Sequence, residues 1–337
     1  MESTQWRSYF RDRGIPNELT KSYVSYAGSL QKKNLPVIFE FEHLSLLLGL
    51  NIEPLARMIA SPSSFYREFA IPKRSGGKRN ICAPHESLLL AQRWILKNIL
   101  EKSEVHVAAQ GFLPGRSIKS NALIHLNSKN LLKMDLRDFF PSIPMSWVIN
   151  VFKDCGYAPN VAYYLASLCC HSEALAQGAA TSPALSNIIL KSFDKRLTRL
   201  ANKCGLKYSR YADDLTFSGE TIHHSFSGAV EKITAEYGLA VNKEKTRLKI
   251  GHGARVVTGI SIQGGRLAVP SKFKRELQNE VFFIRKFGLL SHLSNRKISN
   301  PNYLNSLLGR VSFWLHIEPE NEKAQLARKL IMDTMKI

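Results

Sequence analysis

The sequence predicts an α+β fold, with an antiparallel sheet of short strands set between helical segments at both ends of the chain. Three observations carry this expectation. Tyr211-Ala212-Asp213-Asp214-Leu215-Thr216-Phe217-Ser218 places two adjacent carboxylates between a tyrosine and an apolar, β-favouring run. Leu131-Leu132-Lys133-Met134-Asp135-Leu136-Arg137-Asp138-Phe139-Phe140 reads as a buried strand that ends in carboxylates. Residues 1–60 and the stretch from Ser271 onward read as helical, the latter strongly basic.

The 337 residues are 44% hydrophobic and carry a net charge of +20, with an isoelectric point near 9.8. The length suits two or three compact units, and the charge points to a polyanionic partner. A basic membrane-surface protein is the rival, but no apolar run is long enough to span a bilayer. The charged, Arg-containing N-terminus does not read as a signal peptide, and a cytoplasmic location is expected. Cys82, Cys155, Cys169, Cys170 and Cys204 form no C-x-x-C pattern, and the ten histidines form no obvious ligand set. The cysteines are read as reduced core residues, not as a disulfide or zinc framework.

Taken in order, residues 39–58 are mostly apolar and suit a packing helix. Residues 65–71 alternate like a strand, 72–78 form a cation-rich turn, and 79–84 return as a second strand. Such a basic hairpin can fold over a triphosphate, with Lys73 and Arg79 as clamps. Residues 86–100 have helical spacing. Gly111-Phe112-Leu113-Pro114-Gly115-Arg116-Ser117 is a loop whose Arg116 can meet template phosphate. Asn121 and His125 follow on a short helix, four residues apart and so on one face. A lone pair like this is more often a helix cap or a satisfied buried polar contact than a ligand.

Residues 146–170 read as helical. Gln177-Gly178-Ala179-Ala180-Thr181-Ser182-Pro183 opens an apolar helix over 184–200; its small residues allow backbone to approach a base pair or phosphate, or simply cap the helix. Successive strand residues face opposite ways, so Asp213 and Asp214 share a site only if the backbone turns there. The expected arrangement is a tight hairpin, 207–211 entering and 215–218 leaving. Residues 227–237 form a helix ended by Gly238. A strand-to-loop passage then brings Lys243 and Lys245 near its end. Residues 255–262, with Gly264, Gly265 and 267–269, read as a further β-hairpin. Helices over 304–316 and 323–335 complete a helical C-terminal unit.

Anionic oxygens are hard ligands suited to Mg²⁺, and an Asp after an apolar run is costly to bury without a counter-charge or metal. Asp135, Asp213 and Asp214 together could hold two Mg²⁺, the arrangement polymerases use.

In this order the motifs resemble those of reverse transcriptases, and most closely bacterial retron reverse transcriptases. The resemblance runs from about residue 65 to 262 and more loosely beyond. Met134-Asp135-Leu136-Arg137-Asp138-Phe139-Phe140-Pro141-Ser142-Ile143 is similar to the family's first metal-binding motif, residues 177–183 to its nucleotide-site motif, and residues 211–215 to its Tyr-x-Asp-Asp box. Asn121-Ala122-Leu123-Ile124-His125 is similar to the retron Asn-Ala-x-x-His signature, and Val257-Thr258-Gly259 to the Val-Thr-Gly signature associated with the cognate RNA. Most retron and group II intron enzymes carry Pro where this chain has Ala180, a departure expected to alter loop stiffness and not chemistry. No maturase or endonuclease segment is read after the helical end, which counts against a group II intron protein.

The resemblance implies a right-hand polymerase: an N-terminal helical extension over 1–60, fingers over 61–130, a palm over 131–265 with finger-contributing helices near 146–175, and a helical thumb over 266–337. It implies catalysis by Asp135, Asp213 and Asp214. Nucleotide contacts would come from Lys73, Arg79, Gln177, Lys243 and Phe140, the last as a ring that excludes a 2′-hydroxyl. RNA contacts would come from Arg116, Asn121, His125, Val257, Thr258, Gly259, Lys272, Lys274 and Arg275. Its implied partners are dNTPs, a cognate structured noncoding RNA with its DNA product, and a defence effector protein. Its implied priming is from an internal 2′-hydroxyl, giving branched RNA–DNA. A different bacterial reverse transcriptase and a non-catalytic RNA-binding scaffold remain the alternatives.

Overall fold

The computed structural model describes residues 3–73, 76–251 and 253–336. Arg74 and Ser75, in the expected basic turn, lie outside the described residues.

Four helices open the chain: α1 (Ser3–Asp12), α2 (Asn17–Lys32), α3 (Phe41–Leu48) and α4 (Ile52–Ala60). The apolar stretch expected as one helix over 39–58 is two, because Gly49 takes φ +65° and ends α3. Strands β1 (Tyr66–Pro72) and β2 (Lys78–Pro84) form the expected hairpin, followed by α5 (Glu86–Asn98). Ser117 and Ser120 cap each other at the start of α6 (Ile118–Ile124), and β3 (Asn130–Asp135) follows.

The helical stretch expected over 146–170 is also split, into α7 (Met145–Cys155) and α8 (Pro159–Cys169), with Gly156 at φ +108° between them. A small ribbon, β4 (Cys170–His171) and β5 (Ala174–Leu175), turns through Ser172 and Glu173, both at positive φ. Then come α9 (Ser182–Ile189), α10 (Lys191–Lys203), β6 (Lys207–Tyr211), β7 (Asp214–Gly219) and α11 (Phe226–Glu236). A one-turn 3₁₀ helix, Lys243–Lys245, precedes β8 (Arg247–Lys249), a strand not foreseen because it is only three residues long and all three are exposed. The hairpin β9 (Val256–Val257) and β10 (Ile260–Ser261) turns through Thr258 and Gly259, at φ +44° and +83°. Two positive φ values in a two-residue loop are the hallmark of a type I′ turn, whose twist suits a hairpin. Helices α12 (Ser271–Phe287), α13 (Leu289–Asn295), α14 (Tyr303–Ile317) and α15 (Glu322–Thr334) end the chain.

These elements gather into two compact units. One contains the chain up to Phe112 with Leu136–Leu197 and Gly228–Asn242. Here the β1–β2 hairpin is tied to the 177–183 loop: the Cys82 N–H donates to the Gln177 carbonyl (2.9 Å). Gln92, fully buried, donates to the Tyr66 hydroxyl and the Leu168 carbonyl and accepts from the Ala180 N–H (3.0 Å). A proline at 180 has no N–H to give. The departure at Ala180 is thus more than a change of loop stiffness, since the alanine supplies a donor that this chain's Gln92 uses.

The other unit contains Leu113–Asp135, Thr198–Ser227 and the chain from Lys243 onward. Its centre is a four-stranded antiparallel sheet in the order β6-β7-β3-β8. A core of Leu131, Ala122, Val257, Ile260, Leu277 and Trp314 runs without a break from this sheet through α6 and the β9–β10 hairpin into the C-terminal helices.

Candidate active site

Pairing of β6 with β7 sets Tyr211 opposite Asp214, leaving Ala212 and Asp213 as a two-residue turn. Ala212 takes φ +56°, a region an L-residue enters at some cost, in the two-residue turn that carries Asp213. Pairing of β3 with β7 sets Asp135 opposite Asp214. Directly opposed residues share a face of the sheet. Tyr211, Asp214 and Asp135 therefore form one row across three strands, with Asp213 at the turn beside it.

The electrostatics follow from crowding. Burial, and then the charges of Asp135 and Asp214, push the Asp213 carboxyl up to about 6. Burial likewise raises Asp214, partly offset by Lys133. The Lys245 ammonium donates to both oxygens of Asp135, at 2.8 and 3.0 Å, and this bond raises its own affinity for a proton. Three partly buried carboxylates against this ammonium leave excess negative charge on hard oxygen donors, the kind that divalent cations favour.

Period-two alternation puts Thr216 and Ser218 of β7, and Ser209 and Lys207 of β6, on the same face as the carboxylates. Helix α6 covers the far end of that polar face. His125 lies 2.7 Å from Ser218 Oγ through Nδ1 and 2.7 Å from Ser209 Oγ through Nε2. Ser209 donates its proton to Asn121 Oδ1 (2.6 Å), so it accepts from Nε2–H. Nδ1 then accepts from Ser218, which itself accepts from Ser128 (3.0 Å). Asn121 Nδ2 donates to the Thr258 hydroxyl (3.4 Å), which donates to the Ile118 carbonyl (3.1 Å). Burial, with Lys207 nearby, holds the His125 imidazole down at about 3.

This network revises several expected RNA contacts. Asn121, His125 and Val257 are fully buried, so their side chains present nothing to a nucleic acid in this structure. His125 and Asn121 instead join the β6–β7 hairpin, and Asn121 carries the link on to Thr258. Gly259, Lys272 and Arg275 are exposed, Thr258 and Arg116 are half-buried, and Lys274 pairs with Glu318 at 2.7 Å. Lys73, Arg79, Phe140 and Gln177 lie in the other unit. Lys73 and Arg79 are exposed on the hairpin, and Phe140 is half-buried with its ring 5.1 Å from that of Phe139 and 6.4 Å from that of Phe112. Lys243 is exposed, and the 3₁₀ turn delivers Lys245, not Lys243, to Asp135. Lys133, Ser209, Ser218 and Lys245 were not singled out as site residues; only the register and that turn bring them in.

Residues 71–275 match the family described as reverse transcriptase (RNA-dependent DNA polymerase), more than half of the chain. The chain belongs to the reverse transcriptase family. Within it the similarity is to retron reverse transcriptases. The Retron Mx65 reverse transcriptase of Myxococcus xanthus is 38% identical over 262 residues, covering 69% of this chain and 60% of that protein. Retron Mx162 reverse transcriptase of the same species is 32% identical over 327 residues, covering 85% and 66%. Retron Ec86 reverse transcriptase of Escherichia coli is 32% identical over 259 residues, covering 76% and 81%. This family member thus spans less than two thirds of the length of the two Myxococcus xanthus proteins. Among its described residues no helix is long and apolar enough to cross a membrane.

Proposed function

We propose that this chain is an RNA-directed DNA polymerase of the retron kind, copying a cognate structured noncoding RNA. The observation that carries this reading is the row of Asp135 and Asp214 with Asp213 at the adjoining two-residue turn. The donor set fits Mg²⁺: three carboxylate groups, two of them raised by burial and mutual repulsion. When bound, two Mg²⁺ would activate the attacking 3′-hydroxyl and stabilise the leaving pyrophosphate.

The chain's own residues do the rest by holding and positioning. Lys245 holds Asp135 in place through both of its oxygens. Tyr211 flanks Asp214 in the row. The cations of Lys73 and Arg79, with Gln177 and Lys243, hold the incoming dNTP, and Phe140 excludes a ribose 2′-hydroxyl. Arg116, Lys272, Arg275 and the turn at Thr258–Gly259 meet RNA, whose recognition depends on helix shape, loops and 2′-hydroxyls. Asn121, His125 and Val257 act from beneath, by fixing that turn to the sheet. In this reading the hairpin β1–β2 belongs to the fingers, the four-stranded sheet to the palm and α12–α15 to the thumb. The product is branched RNA–DNA primed from a 2′-hydroxyl, made in the cytoplasm and acting in phage defence with an effector protein.

The test is primer extension by purified protein on a primed RNA template, with Asp213→Asn alongside. Robust dNTP-dependent extension by the parent and none by the variant supports the reading; equal extension by both overturns it. Sequencing of co-purifying nucleic acid then identifies the RNA and its branch.

A further inference from the structure

The β1–β2 hairpin carries a second cluster with no part in the polymerase reading. Glu68 and Cys82 are direct cross-strand partners, so their side chains share a face. His171, in β4, joins them, its Nε2 lying 3.1 Å from Glu68 Oε1. A carboxylate oxygen, the thiol sulfur and an imidazole nitrogen all lie within 4.8 Å of one another. The His171 side chain is only 11% exposed, and Nε2 makes no hydrogen bond among the described residues; the Glu68 contact has the length of one but not the direction. A buried polar nitrogen without a partner calls for an explanation. The ring is also held in place, since Tyr66 meets it edge-on with centroids 4.8 Å apart, and Gln92 anchors the Tyr66 hydroxyl.

We propose that Glu68, Cys82 and His171 form a transition-metal site, with Zn²⁺ as the ion its donors select. Thiolate and imidazole favour Zn²⁺, whereas Mg²⁺ and Ca²⁺ favour all-oxygen sets. Three protein ligands leave a fourth position for water. Burial, and secondly the Glu68 charge, hold the Cys82 thiol above its ordinary range, so it is protonated in the metal-free protein. Binding therefore replaces the S–H bond with an S–Zn bond and releases one proton to solvent, with no change of oxidation state. The site would pin both strands of the hairpin to the β4–β5 ribbon. It would also steady the 177–183 loop, because the Cys82 N–H holds the Gln177 carbonyl and a Cβ at Gly178 would sit 2.6 Å from the Cys82 carbonyl oxygen. The simpler reading is a His171–Glu68 ion pair with a bystander thiol.

Co²⁺ titration of the full chain tests this without any measurement of DNA synthesis, so it stands or falls apart from the polymerase reading. One equivalent is expected to give tetrahedral visible bands and a near-ultraviolet thiolate-to-cobalt band, both removed by Zn²⁺, with one proton released per Zn²⁺ at neutral pH. Cys82→Ser should lose the thiolate band, while Cys204→Ser, at an exposed cysteine, should keep it. Glu68→Gln and His171→Gln should weaken Zn²⁺ binding by at least the roughly 10–100-fold that loss of a mere outer-shell partner costs. Absence of the thiolate band, or its survival in Cys82→Ser, overturns the proposal. Glu68 is exposed, so Glu68→Gln decides the matter even if the other variants fail to fold: unchanged Zn²⁺ affinity in that variant would exclude Glu68 as a ligand and overturn the three-ligand site.

Discussion

Asp213, at the turn of the β6–β7 hairpin, is raised by its own neighbours, and that crowding makes its charge valuable to a cation. Asp213→Asn keeps the shape and removes the charge. DNA synthesis is expected to fall at least about a hundredfold, the scale on which one preorganised electrostatic group acts. RNA binding, measured by filter retention, should be unchanged. Arg79→Ala should act on binding, raising the apparent KM for dNTP about tenfold or more, since a charge-assisted hydrogen bond contributes about 1.5–3 kcal/mol. A defect confined to RNA affinity would place Arg79 on the template path. Phe140→Ala should admit ribonucleotides, read as NTP incorporation in single-nucleotide extension. The aspartates were legible in the sequence because each borders an apolar, strand-forming run. Lys245 was not, because choosing between it and Lys243 depends on a single 3₁₀ turn. The Glu68, Cys82 and His171 cluster had no local spacing to read, since two ligands come from paired strands and the third from a distant ribbon.

At the scale of elements, α6 is held to the sheet by a buried chain of hydrogen bonds centred on a neutral imidazole. Above pH 6.5 His125 is neutral in both folded and unfolded chains. Below it only the unfolded chain takes up the proton, until the pH nears the folded value of about 3. Stability should therefore decline as pH falls from about 6.5, with a slope approaching 1.4 kcal/mol per pH unit from this group. Urea unfolding at pH 7.5 and 5 measures it, and the pH dependence should be shallower in His125→Gln. Ala180→Pro restores the residue common in related enzymes but leaves Gln92 Oε1 without its donor. A loss of about 1–3 kcal/mol is expected, the usual cost of an unsatisfied buried group. Most helices and the two main hairpins were legible from periodicity and turn residues. The breaks at Gly49 and Gly156 were not, because helical sequence resumes within a few residues of each. Strand β8 escaped notice because three exposed residues at a sheet edge are too short a run to carry a period.

For the whole molecule, a charge of +20 attracts any polyanion, and that attraction is steeply salt-dependent. Raising salt from 50 to 200 mM should weaken binding to generic RNA on the order of a thousandfold if six or more phosphates are neutralised. Binding to the cognate RNA should retain a larger part of its affinity, through contacts that carry sequence or shape information. Exchanging residues 255–337 with those of another retron enzyme should redirect that preference and spare extension of a generic template. The continuous core from Leu131 and Ala122 to Trp314 adds a requirement: the exchanged segment must bring its own 113–130 partner, or the graft will be strained at α6. A chimera that carries both segments, folds, and keeps its original RNA preference would locate selection elsewhere.

The central place of β3 in the sheet also has a consequence in time. Its neighbours β7 and β8 are both encoded far downstream of it. At roughly 5–20 residues per second on the ribosome, they emerge several seconds late. For that interval the nascent strand waits with both hydrogen-bonding edges open, and Leu131, Leu132 and Met134 are free to find wrong partners.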